Sequence, residues 1–219
     1  QQAVYQTRQR LGLATGGPPD TRTIVAGLKE ALEVGTCNAV RQTSRPGGYL
    51  DDLAIRIPLP PDLKKPADTL RKVGLGSLAD RLVEKMNEAA EHAAADATPV
   101  FVDAITAMTF DDARRILQGS DTEATDYFRA KTTEPLTRRY APIVARHMNQ
   151  LGLVRQYNAM MEQYAKIPFA PEVRFRLEEY VVGKALEGLF HVVAGEERKI
   201  RKDPAARVTE LLRKVFGRI

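Results

Sequence analysis

Trp is absent, and only 7 Tyr and 7 Phe are spread over 219 residues. So few aromatic side chains argue against a sandwich or barrel, whose strands draw on aromatic and β-branched residues. A single cysteine, Cys37, excludes an intramolecular disulfide, a Cys-based zinc site and a CxxC redox pair. Its scarcity leaves the compartment open, because cytosol, periplasm and organelle all hold disulfide-free chains. No apolar run reaches the ~20 residues of a membrane span. Residues 180–194 come closest and are broken by Lys184 and Glu187. Nucleophile elbows of the GxSxG type, SxxK pairs and phosphate loops are missing as well, and Gly74-x-Gly76 lacks the third Gly or the Lys-Ser/Thr that would make it specific.

What is present is a helix former's composition. Hydrophobic residues make up 43% of the chain and charged residues 28%, with Ala, Leu, Arg, Glu and Lys abundant. The sequence predicts an all-α, single-domain multi-helix bundle over 21–219, preceded by a flexible arm at 1–20 that ends in Gly16-Gly17-Pro18-Pro19. Asp20 or Thr21 caps a first helix with Ile24, Leu28, Ala31, Leu32, Gly35 and Ala39 on one face. Ile55-Arg56-Ile57-Pro58-Leu59-Pro60-Pro61 reads as one short extended segment, because its prolines deny ladder hydrogen bonds. A brief helix follows around Leu63 to Val73.

Further helices are expected from Ser77, with Asp80 closing a capping box, from Thr98-Pro99 as N-cap and N1, and from Thr109, whose first turn holds Asp111 and Asp112. Asp121 is expected to cap the next. Pro135 is tolerable near a helix start, whereas Pro142 signals a kink or a new helix. Residues 172–202 are apolar on more than one face between Tyr180 and Ala194, with Gly183, Gly188 and Gly195 admitting close contacts. They are expected to form the central buried helix. Asp203-Pro204 then opens a last helix carrying Val208, Leu211, Leu212, Val215, Phe216 and Ile219.

Metal chemistry has two thin footholds, Glu88/His92 and Glu187/His191, each at the four-residue spacing that shares a helix face. No histidine has a Glu three residues before it, so the di-metal carboxylate pattern is missing and no metal or cofactor is expected. His92 reads as a surface residue and His191 as partly buried packing, while Cys37 reads as a small core residue. Net charge is +5, and the stretch from Glu196 to Ile219 carries eight Lys/Arg against four acids. Arg198, Lys199, Arg201 and Lys202 form a basic surface that could meet anionic lipid or nucleic acid. Without interleaved aromatics it reads as a solvated face, so nucleic acid is disfavoured. Glu196 and Glu197 are placed on that same exposed, salt-bridged face.

The ordered segments GLKEAL at 27–32, IRIPLP at 55–60, FVDAI at 101–105, DDARRIL at 111–117, ATDYFR at 124–129, KALEGLF at 184–190, EERKIRKDPAAR at 196–207 and LLRKVFG at 211–217 together resemble the bacterial domain-of-unknown-function family 4197. The resemblance spans residues 24–217. Members are typically Gram-negative proteins with a signal sequence, which implies an exported, periplasmic chain processed before Gln1. It supplies no catalytic residue, cofactor or substrate. Within the matching segments Asn87, Glu91, Asp103, Asp126, Arg129, Glu196, Glu197 and Arg201 are polar residues in apolar-rich helices. They either line one ligand pocket or form buried pairs that fix helix register, and the pairing is preferred. The functional expectation is a non-enzymatic envelope protein binding a partner protein or a lipid-like ligand. The alternatives are an unrecognised enzyme built on the carboxylates and arginines, or a binder of anionic surfaces through the basic end.

Overall fold

The computed structural model describes residues 21–171, 173 and 175–203. The expected arm at 1–20 and the expected last helix after Asp203 lie outside the described residues. Among those described, the regular elements are all helices, without strands. In order, the helices are α1 (Thr21–Ser44), α2 (Pro61–Lys72), α3 (Ser77–Ala94), a 3-10 turn (Ala95–Ala97), α4 (Thr98–Thr106), α5 (Phe110–Gln118), α6 (Glu123–Gln150), α7 (Leu153–Ala165) and α8 (Leu177–Lys202).

Helix α8 occupies the middle and packs on α6, α1 and α3. Its Val181, Val182, Ala185, Leu186, Leu189, Phe190, Val192 and Val193 are all buried, so one helix carries apolar residues on several faces because it has neighbours on several sides. Helix α3 supplies Ala89, Ala90, Ala93 and Ala94, each fully buried, where small side chains let neighbouring backbones come close. Aromatic rings fill the larger gaps. Phe101 of α4 meets Phe128 of α6 and Phe190 of α8 edge to face, the geometry that ring quadrupoles favour.

The helix ends match the sequence expectation at one position and differ at others. Thr109 caps α5 with a reciprocal box, its hydroxyl accepting from the Asp112 N–H while the Asp112 carboxylate accepts from the Thr109 N–H. The box expected at Ser77 and Asp80 does not form. Ser77 is already helical, Gly76 precedes it, and Asp80 instead pairs with Arg71 at 2.7 Å. Thr98 is no cap either, because the 3-10 turn carries α3 into α4 without an extended residue between them. Helix α6 runs through both Pro135 and Pro142 as one element. Gly152, with φ of 69°, makes the left-handed turn between α6 and α7.

Two side-chain placements are corrected. Cys37 is exposed, since the α1 face that buries Leu28, Ala31, Leu32 and Ala39 turns position 37 outward. His191 is exposed as well, although Val192 and Val193 next to it in the chain are buried. Of the three glycines expected to admit close contacts, Gly188 does so. A methyl there would lie 2.6 Å from the Tyr49 ring, whereas Gly183 and Gly195 have nothing within 4 Å among the described residues.

Candidate functional site

Asn87 and Glu91 sit one turn apart on the inner face of α3 and are buried. Between α1 and α2 the chain has no helix, so its peptide groups need partners from elsewhere. Asn87 accepts from the Ile57 N–H at 2.8 Å and donates to the Ile57 carbonyl at 2.9 Å. Glu91 accepts from the N–H groups of Gly47, Tyr49 and Leu50 at 3.0–3.2 Å. Thus Glu91 holds the turn after α1 and Asn87 holds the extended segment at Ile57. Tyr49 is pressed between them and α8, donating its hydroxyl to the Ala185 carbonyl at 2.6 Å. Burial, and then the nearby Glu91 carboxylate, push its phenol pKa far above the ordinary value.

A second group lies along the seam of α8 with α1 and α6. Glu197 accepts from the N–H groups of Ala124 and Thr125 and from the Thr125 hydroxyl at 2.8–3.0 Å. Arg201 donates to Glu197 and, at 2.7 Å, to the Ile116 carbonyl. Glu196 accepts from Asn38 at 3.0 Å and from Lys199 at 2.6 Å. The expected exposed face is therefore corrected for Glu196 and Glu197. Both are buried, because α1 and the start of α6 close over them. Arg129 lies over the Phe190 ring at 4.8 Å, a cation–π contact, and Asp126 is exposed in the first turn of α6.

The basic residues near the end of α8 are mostly engaged. Lys199 pairs with Glu196, Arg201 with Glu197, and Lys202 with Asp121, whose carboxyl that hydrogen bond holds below its ordinary range. Arg198 is exposed. The histidines do not meet as Glu/His pairs. His92 instead stacks face to face on His147 of α6, with centroids 4.2 Å apart, and His191 lines a small cleft with Arg56 and Lys184. Among the described residues no group of three His, Cys, Asp or Glu side chains is placed to hold a metal.

Asp103 stands apart from both polar groups. It opens onto a cleft of about 400 Å³ between α4, the start of α5 and α6, shared with Val100, Ala104, Ala107, Tyr127, Lys131 and Pro135. Thr109 and Asp112 complete one wall. The two hydrogen bonds from Thr109 hold the Asp112 carboxyl below its ordinary range, while burial and then Asp112 raise the Tyr127 phenol. Val102 and Phe110, both more than 40% exposed, belong to the same two helices. By contrast, the mostly apolar cavity lined by Leu28, Leu32, Phe128, Val193 and Ile200 together with Glu197 and Arg201 holds only about 20 Å³, room for one water rather than an acyl chain. Sequence reasoning found Asp103 but not its surroundings, because Lys131 and Pro135 read as ordinary positions of a helix until α4 is placed beside them.

The sequence model of a family described as "Protein of unknown function (DUF4197)" matches residues 19–217. No curated protein and no solved structure matches the chain. With nearly its whole length covered, the chain belongs to the DUF4197 family.

Proposed function

We propose, from that membership and the geometry above, that the chain is a non-enzymatic binding protein of the bacterial envelope that receives a segment of a partner protein in the α4–α5–α6 cleft. One observation carries this reading. The cleft offers about 400 Å³ with apolar walls from Val100, Ala104, Ala107 and Pro135 and a few polar groups among them, the make-up of a recognition site. Two further points support it. The candidate polar residues divide between separate places rather than one, and Asn87, Glu91, Glu197 and Arg201 are engaged in holding backbone. The 20 Å³ cavity favours a protein partner over a lipid-like ligand. The envelope placement rests on the signal sequences typical of the family. No helix among the described residues is long and apolar enough to cross a membrane.

The test is site-specific photocrosslinking in the source cells with a benzophenone residue at Ala107, and at Lys64 of α2 as a control. A protein should be captured from the periplasmic extract at Ala107 alone. Once identified and purified, it should bind the wild-type chain and lose roughly tenfold or more in affinity for Ala107→Trp, which fills the cleft. Equal binding to the filled variant, or capture at both positions alike, overturns the reading.

A further inference from the structure

Helix α8 runs antiparallel to α1. Ala185 lies opposite Tyr49, just past the end of α1, Glu196 accepts from Asn38, and the tip of Ile200 lies 3.4 Å from where a methyl on Gly35 would sit. The helical period puts Ile24, Leu28, Ala31, Gly35 and Asn38 on one face of α1. Ile24 precedes Gly35 by eleven residues, or about 16 Å of helix. Past Ile200, α8 advances only about 5 Å before the backbone turns extended at Asp203. The first turns of α1 therefore carry the same apolar face beyond the reach of α8, and Ile24 there is half-buried while Leu28 and Ala31 are buried. Helix α4 lies on a different side of α1, where Lys29 donates to the Thr106 carbonyl at 3.2 Å.

Sixteen residues follow Asp203 in the sequence, enough to span about 24 Å at the helical rise. In them Val208, Leu211, Leu212, Val215, Phe216 and Ile219 recur at the spacing of one helix face, a stripe that gains stability only when covered. The family match, from residue 19 to 217, takes in both the start of α1 and this segment. We infer that residues 204–219 dock along the first turns of α1, their apolar stripe against Ile24 and Val25, and so extend the cover that α8 begins. That stripe is then not available to a membrane or to a partner protein.

Paramagnetic broadening in the isotopically labelled full chain tests this. A nitroxide is placed at Lys214→Cys in a Cys37→Ser background, with Glu210→Cys as a second labelling position. Either label should broaden the amides of residues 22–32 and leave those of 64–72 in α2 sharp. Broadening confined to other residues, or absent, overturns the inference. So does broadening that appears equally when an isotopically labelled chain without nitroxide is mixed with a nitroxide-bearing unlabelled one, since a second copy would then supply the segment. In urea denaturation Ile24→Ser and Leu212→Ser should each lower the midpoint. The double variant should lose clearly less than the two losses together, because both changes remove one shared contact. Full additivity likewise overturns the placement.

Discussion

At Gly188 a single hydrogen atom decides how α8 meets the chain between α1 and α2. The Tyr49 ring occupies the space a methyl would need, and Ile55 would lie 3.1 Å from it. Gly188→Ala therefore gains the helix propensity of alanine yet must displace a fully buried ring. The net expectation is a loss of about 1–3 kcal/mol, read as a lower urea midpoint. Gly183, on the same helix, has open space around it among the described residues. Gly183→Ala should raise stability by about 0.5–1 kcal/mol, since only propensity changes. The opposite signs separate packing from propensity within one element. Sequence periodicity marked both glycines as contact points, because spacing shows which residues are small but not what stands opposite them.

Among elements, α6 has an unusual start. Its N-cap residue Thr122 makes no side-chain cap bond, and the expected cap, Asp121, pairs with Lys202 instead. The orphan N–H groups of Ala124 and Thr125 are satisfied by Glu197, more than seventy residues away on α8. That carboxylate also gains from the positive end of the helix dipole. Glu197→Gln should cost about 3 kcal/mol in chemical denaturation, because it weakens two amide contacts and strips Arg201 of its buried counter-charge. Thr122→Ala should stay within about 0.5 kcal/mol. A cap read from neighbouring residues is legible in sequence, as Thr109 with Asp112 demonstrates. One supplied by a distant helix carries no local signal. The same distinction explains why the central position of α8 was legible from its run of apolar residues while the surroundings of Asp103 were not.

For the molecule as a whole, the stacked His92 and His147 join α3 to α6 and tie stability to pH. His147 titrates below the ordinary 6.5, first because it is partly buried, then because of His92 and Arg146, with Asp96 and Glu88 opposing. The unfolded chain therefore takes up a proton that the folded chain resists. The stabilising contribution of the neutral ring is fully present above pH 6.5 and is lost as pH falls through the depressed folded value. Urea midpoints measured between pH 7.5 and 5 should fall for the wild type. For His147→Gln the decline over the same interval should be shallower, with any remaining slope owed to other groups. An equal decline in both proteins would remove the stack from the explanation.

Synthesis adds a direction in time to this architecture. A ribosome releases residues in order, so α1, α3 and α6 emerge with their inward faces uncovered while α8, the helix they share, is still unmade. Until it arrives, Tyr49 has no carbonyl to donate to and the start of α6 has no carboxylate above it. Closure of the core is thereby deferred until α8 has emerged, and the helices made before it stay open to chaperones in the meantime.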